Sequence, residues 1–206
     1  NNPRYLLYDD VFIIGKSSLD QDFYDDLVFC VRNANITTIP SFIKNIRPFA
    51  FHQCYNINEI IIPEDSNLQV IDKNAFASCL VSHVSISSHI KIICYEAFEH
   101  CINLSKINIP PNSELQEIQK MAFANTLIEE IALPPTLKKI CCKAFFMSKR
   151  FQHIEIPHNS ELQFIGRAAF YGTSFESLAI PSKLIELESD WCQKTVKLTK
   201  IFIKGI

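Results

Sequence analysis

Apolar residues along this chain recur as pairs two residues apart, each followed by a polar or proline-rich connector, one isolated apolar residue and an Ala-Phe dipeptide. The pairs are Ile60/Ile62, Val84/Ile86, Ile107/Ile109, Ile131/Leu133, Ile154/Ile156, Leu178/Ile180 and Ile201/Ile203. Alternation over so few β-branched residues predicts a short strand with one face inward. Pro63, Pro110, Pro134, Pro157 and Pro181 follow at once and should end each strand, having no N–H to donate. The isolated residue (Ile46, Ile71, Ile93, Ile118, Ile140, Ile165 or Leu187) stands five positions before the Phe place.

The Phe residues at 51, 76, 98, 123, 145 and 170 follow one another at gaps of 25, 22, 25, 22 and 25. Most of the alternation comes from the connector. Its long form, Pro110-Pro111-Asn112-Ser113-Glu114-Leu115 or Pro157-His158-Asn159-Ser160-Glu161-Leu162, has two residues more than Pro134-Pro135-Thr136-Leu137, and the apolar pair follows the Phe by nine residues there instead of eight. Extending the rule by 22 in each direction lands on Phe29 and on Cys192 after Trp191, giving about eight turns with degenerate ends. Repeats of 20–30 residues are the signature of a solenoid: one turn cannot bury its own apolar residues, whereas stacked turns bury a continuous column.

Leu104-x-x-Ile107-x-Ile109-Pro110, then Leu115-x-x-Ile118-x-x-x-Ala122-Phe123-x-x-Thr126, resembles the BspA-type leucine-rich repeat. The resemblance runs from about Ile36 to the C-terminus. It implies an α/β leucine-rich-repeat solenoid, a horseshoe or open arc, with a short-stranded parallel sheet on the concave face. Irregular or single-turn helical segments around each Ala-Phe would lie opposite. Residues 1–35 are expected to form a cap and a degenerate first turn, and 36–206 one continuous solenoid. By resemblance, the protein is a non-enzymatic, adhesin-like surface module that binds a host-surface or matrix protein.

If the apolar pair faces inward, the residues before and between its members face out. One outward column is Glu59, His83, Lys106, Glu130, His153, Ser177 and Lys200; the other is Ile61, Ser85, Asn108, Ala132, Glu155, Ala179 and Phe202. Solenoids bind partners on such extended faces. The candidate contact residues are therefore Glu59, Ile61, His83, Ser85, Lys106, Asn108, Glu130, His153, Glu155, Lys200 and Phe202. The bland alternative is a solvated side, with Lys106 beside Glu130 as an ordinary cross-strand pair.

Composition narrows the alternatives. A net charge of −2 gives no footprint for nucleic acid or anionic membrane, and no apolar run approaches a membrane span. The eight cysteines suggest a disulfide framework or a metal site until they are placed in register. Cys54, Cys79 and Cys101 each follow the repeat Phe by three residues, where other turns carry Thr126, Ser148 and Thr173. That column predicts buried groups bonded to neighbouring backbone. Cys94 and Cys141 are equivalent but two turns apart, too far to bridge. No C-x-x-C occurs, so no metal or cofactor is expected.

Mostly reduced thiols favour a reducing compartment. This supports a second reading, an intracellular scaffold using the same face or its open edge. His153-Ile154-Glu155 imitates a deaminase H-x-E without the accompanying cysteines. His52/Cys54 and His100/Cys101 could serve a metal, but their thiols belong to the column. The sequons at Asn35 and Asn103 are no more than the composition gives by chance. Asn1 suggests a processed chain or a piece of a longer one. The strand Ile201-Phe202-Ile203 reads as an open edge inviting self-association, with Lys197, Lys200 and Lys204 as gatekeepers.

Overall fold

The computed structural model describes residues 4–35 and 38–204. Each turn contributes two strands to two different sheets. The outward columns lie on a five-stranded parallel sheet, Glu59–Ile61, His83–Ser85, Lys106–Asn108, Glu130–Ala132 and His153–Glu155, in sequence order. The isolated apolar residues build the other sheet, as two-residue strands from Asn45–Ile46 to Glu186–Leu187. Ile46, Ile71, Ile93, Ile118, Ile140, Ile165 and Leu187 stand in one register row.

The core between the sheets is a stack of rings. Phe51, Phe76, Phe98, Phe123, Phe145 and Phe170 are at most 1% exposed. Successive centroids lie 4.7, 5.0, 5.3, 5.5 and 5.6 Å apart, with ring planes within 22° of parallel. Burying each ring contributes roughly 1.5–3 kcal/mol.

Between the sheets the chain reverses around Ala-Phe. The two alternatives there, irregular or one helical turn, resolve to tight turns; no helix occurs among the described residues. The hydrogen bonds explain how the backbone does without one. Asn74, Phe76 and Ser78 donate across to Tyr95, Ala97 and Glu99 of the next turn, while Ala75, Ala77 and Cys79 donate back within their own. Every N–H of this stretch is satisfied, as burial demands. The alternation requires left-handed backbone two residues before and two after the Phe place, as at Asn74 (φ 54°) and Ser78 (φ 59°). Gly172 is the one glycine among these positions in the regular turns, so most carry the steric cost of a Cβ at positive φ.

The long connectors share one turn. Ser66, Ser113 and Ser160 donate their N–H to Pro63, Pro110 and Pro157, and their hydroxyls accept from Leu68, Leu115 and Leu162 at 3.2 Å. All three serines are buried.

At the N-terminal end, β1 (Tyr5–Tyr8) and β2 (Phe12–Gly15) form an antiparallel hairpin through Asp9 and Asp10, both at positive φ. The Val11 N–H donates back to Tyr8 at 3.1 Å, and Val11 completes a three-residue loop between the paired Tyr8 and Phe12. β2 pairs with β3 (Asp26–Cys30), which leads parallel into the Asn45–Ile46 strand, and Phe12 meets Phe51 edge-on at 5.9 Å.

The structure departs from the expected register in four places. Cys30, not Phe29, takes the Phe place of the first turn: its N–H donates to Ala50 as that of Phe51 donates to Ala75. Cys30 is fully buried while Phe29 is half-buried. Cys192 does hold the Phe place at the other end, and Trp191 meets Phe170 edge-on. Ile201 and Ile203 are 52% and 60% exposed, because no described turn stacks beyond them. Pro181 does not follow its strand but closes it, since Ser177–Pro181 includes it opposite Lys204.

Finally, the face expected to run unbroken from Glu59 to Lys200 is split. Ser177–Pro181 pairs only with Lys200–Lys204, as a separate two-stranded sheet. The break coincides with Phe151 and Phe175, two rings tilted 60° to each other in a slot that Ile57, Val81, Leu104 and Ile128 fill elsewhere. Ile36, and Thr37 of the first sequon, lie outside the described residues.

Candidate functional site

The five-stranded sheet shows one face to solvent. Ile60, Val84, Ile107 and Ile131 point into the core, and pleating sends their neighbours outward. The pairings Glu59–His83–Lys106–Glu130–His153 are continuous across all five strands. At about 4.8 Å per strand this row spans about 19 Å. The second row runs Ile61–Ser85–Asn108, with Ala132 beside Glu155 further on. Glu59, His83, Lys106, Asn108, Glu130, His153 and Glu155 are exposed, Ser85 is half-buried and Ile61 is 38% exposed. Lys200 and Phe202 are not brought to this group: both are exposed, but they pair with Ser177 and Ala179 in the two-stranded sheet.

Two hollows indent the face. One of about 230 Å³ is lined by Lys106, Asn108, Glu130, Ala132, His153 and Glu155. Beside it, one of about 320 Å³ is lined by His83, Lys106, Glu130 and His153, with Ser105, Glu129 and Gln152 on its far side. Lys106 and Glu130 are register partners, yet no ion pair joins them among the described residues. His83 is oriented by Ser82, whose hydroxyl lies 2.9 Å from its Nδ1 and 3.0 Å from the Asn58 carbonyl.

The far side belongs to a third column that the sequence reading missed. Asn58, Ser82, Ser105, Glu129, Gln152, Glu176 and Thr199 each precede the first outward position. Their backbones form a ladder: Ser82 donates to Asn58, Ser105 to Ser82, Gln152 to Glu129 and Thr199 to Glu176. The signal was available, because all seven are polar.

The thiols of both candidate metal pairs are engaged in hydrogen bonds, Cys54 accepting from Arg32 and Cys101 donating to the Phe76 carbonyl. All eight cysteines are free. Cys79 donates to the Phe51 carbonyl at 2.8 Å and Cys101 to the Phe76 carbonyl at 3.1 Å, as Ser148 donates to Phe123 and Thr195 to Phe170. Burial pushes the Cys79 thiol up to about 12 and Cys101 well above the ordinary range. Burial also raises Cys94 to about 11 and Cys141 to about 12, with nearby carboxylates adding to the effect. Such groups stay protonated, and Cys79, Cys101 and Cys141 serve as hydrogen-bond donors. No group of three or more His, Cys, Asp or Glu among the described residues could hold a metal ion. His153 and Glu155 share the outward face with Glu130 and Ala132 as their strand neighbours.

The BspA type leucine rich repeat region matches residues 25–148 and 116–205, in six copies. The chain belongs to this family. The match begins earlier than Ile36, within the turn that Cys30 completes.

Solved structures agree on the fold. The pneumococcal vaccine antigen PcpA superposes with a TM-score of 0.69 at 20% identity, over 98% of this chain and 50% of its own. A leucine-rich repeat protein from Bacteroides ovatus gives 0.57 at 18%, over 88% and 59%. The T. pallidum leucine-rich repeat protein TpLRR gives 0.59 at 18%, over 97% and 78%. This chain thus spans about half the length of the PcpA structure. No match is found among curated protein sequences. Among the described residues no helix is long and apolar enough to cross a membrane. Of the sheets, the five-stranded one carries the continuous outward row from Glu59 to His153.

Proposed function

We propose that the outward face of the five-stranded sheet is the partner-binding surface of an adhesin-like surface protein, with a protein partner of mixed charge. The observation that carries this reading is the unjoined pair Lys106 and Glu130, set side by side over two hollows. Both charges remain free for groups on a partner, and the flanking Glu59, Glu155, His83 and His153 extend the same mixed pattern. A partner surface of one sign would meet repulsion somewhere along the row. Likeness to a pneumococcal vaccine antigen supports a host-facing setting and a host-surface or matrix protein as partner. No reaction is assigned to this face.

Eight free thiols support a second reading, an intracellular scaffold using the same surface, because reduced cysteines persist in reducing compartments. Lys200–Lys204, which among the described residues pairs only with Ser177–Pro181, offers such a scaffold an edge for self-association. Two experiments separate these readings. Localising the full-length protein distinguishes surface from interior. Capture from host-surface and from intracellular extracts, with wild type and a variant carrying Glu59, Lys106, Glu130 and Glu155 as Ala, then tests the face. The adhesin reading expects capture from the host-surface extract, lost in the variant; undiminished capture by the variant contradicts it.

A further inference from the structure

Strand β1 is the outermost strand of the ten-stranded sheet, and among the described residues it pairs with β2 alone. Its four residues, Tyr5, Leu6, Leu7 and Tyr8, include none of the charges, prolines or bulges that ordinarily blunt a sheet edge. Apolar groups stand exposed on both of its faces. On one, Tyr5 and Leu7 are 39% and 56% exposed, beside Ile13 at 37%. On the other, Leu6 is 47% exposed and, with Tyr8, rims a hollow of about 600 Å³ that Phe23, Phe42 and Lys44 also line.

The open side of β1 has a defined hydrogen-bonding pattern. Bonded residues alternate along an antiparallel pair, and the Arg4 carbonyl accepts from the Lys16 N–H at 3.1 Å. Leu6 and Tyr8 therefore turn their backbone groups towards β2, while the N–H and C=O of Tyr5 and Leu7 point away from it. The charges of the hairpin are ordered too. Arg4 and Lys16 stand at its open end, Asp9 and Asp10 at its loop, and all but the half-buried Lys16 are exposed.

We propose that β1 pairs with β1 of a second copy of this chain, antiparallel about a two-fold axis at Leu6. Tyr5 of each copy then lies opposite Leu7 of the other, and these outward groups exchange four N–H···O=C bonds with none left over. Leu6 meets its own counterpart. An axis perpendicular to the sheet sets both hollows on one side, with the two Leu6 side chains between them. Antiparallel pairing also brings the basic end of each hairpin to the acidic loop of the other, twice over; a parallel arrangement would set like ends together. This self-complementarity selects a second copy as the occupant, because one hairpin supplies both halves of every contact. Such an interface is isologous and closes at two. It uses no residue of the five-stranded face, so it stands or falls separately from the binding surface proposed there.

The test is sedimentation of the whole chain over a range of concentrations, joined to oxidative cross-linking and peptide mapping. With rising concentration the wild-type mass should climb from the 23.6 kDa of one copy towards twice that. Leu6→Lys sets two ammonium groups against each other at the axis, and should raise the dimer dissociation constant by on the order of tenfold or more with an unchanged circular dichroism spectrum. Leu6→Cys should link two copies through position 6 on mild oxidation, since directly opposed residues of this kind lie about 4.5 Å apart. Leu7→Cys should not, because its counterpart is a diagonal neighbour about 7–8 Å away. A wild-type mass that stays at one copy throughout overturns the proposal and leaves the edge to a strand from elsewhere; that arm needs no variant to fold. A dimer that Leu6→Lys leaves intact also overturns it, placing the contact at another edge such as Lys200–Lys204. Linking through Leu7→Cys as readily as through Leu6→Cys overturns the antiparallel register.

Discussion

The Phe98 and Phe123 rings lie 5.3 Å apart and 6° from parallel, although 25 residues separate them in the chain. They are the middle pair of a ring stack that passes through every regular turn. Each ring is the floor of one repeat and the ceiling of the next, so stability is shared between neighbours and belongs to no single turn. Phe98→Ala should cost about 3–5 kcal/mol, the upper range for deleting a fully buried aromatic. Chemical denaturation measures this, and a loss below about 1 kcal/mol would mean that neighbouring turns close over the gap.

Left-handed backbone held by side-chain-bearing residues leaves room for improvement. Ser78 sits at φ 59° and its hydroxyl makes no hydrogen bond among the described residues. Ser78→Gly should stabilise by about 0.5–1 kcal/mol, the relief of the Cβ clash exceeding the added freedom of the unfolded chain. Thermal melting of the two proteins side by side gives the answer; a lower melting temperature for the glycine variant contradicts the strain argument.

For the thiol column, function as a donor matters more than sulfur. Cys79→Ser keeps a donor for the Phe51 carbonyl and should change stability by less than about 1 kcal/mol. Cys79→Val removes it and should cost about 1–3 kcal/mol. If valine is tolerated as well as serine, the column is mere packing.

Two adjacent buried carboxylates at the N-terminal end respond to pH in opposite senses. Burial alone would raise Asp25, but hydrogen bonds from Ser17 and Gln21, with Lys44 at 3.8 Å, outweigh it and lower its pKa. A lowered folded pKa gives stability that is present above the ordinary carboxylate value near 3.8 and is lost as pH falls through the folded one. Asp25→Asn should therefore cost about 1–3 kcal/mol at neutral pH, with the difference vanishing in strong acid. Burial raises Asp26 despite Asn45 and Arg47, so its protonation favours the folded chain. Asp26→Asn should consequently cost less than Asp25→Asn at neutral pH. Urea titrations at several pH values read both; an Asp25→Asn difference that does not shrink as pH falls below the ordinary carboxylate value is inconsistent with this assignment.

Residues that recur in absolute register were legible from the sequence, and those set by local geometry were not. The Phe stack, the inward Ile pairs and the two outward rows all follow from period and alternation, which stacking preserves. The second sheet was not legible, because a strand of two residues such as Ile92–Ile93 has no period. Nor were the left-handed positions: Asn74, Glu96, Met121 and Lys143 occupy them, and none announces positive φ as glycine would. Misplacing Phe29 came from extrapolating the spacing by one residue too many, which only the Cys30–Ala50 hydrogen bond corrects. The break after His153–Glu155 depends on how Phe151 and Phe175 tilt, a matter of packing. At the candidate site the rows were legible, whereas the hollows depend on side-chain placement, and the third polar column was readable but overlooked.

The central claim is that partners bind the five-stranded face. The direct measurement compares capture of host-surface protein by three folded chains: wild type, the Glu59/Lys106/Glu130/Glu155→Ala variant, and a control with exposed Lys73, Lys120 and Lys194 of the Ala-Phe turns changed to Ala. The prediction is a loss of on the order of tenfold or more for the sheet variant with the turn variant unchanged, since hot-spot truncations each cost about 1–2 kcal/mol or more. Full capture by the sheet variant, with loss in the turn variant, would place the binding surface on the opposite side of the solenoid and contradict the account.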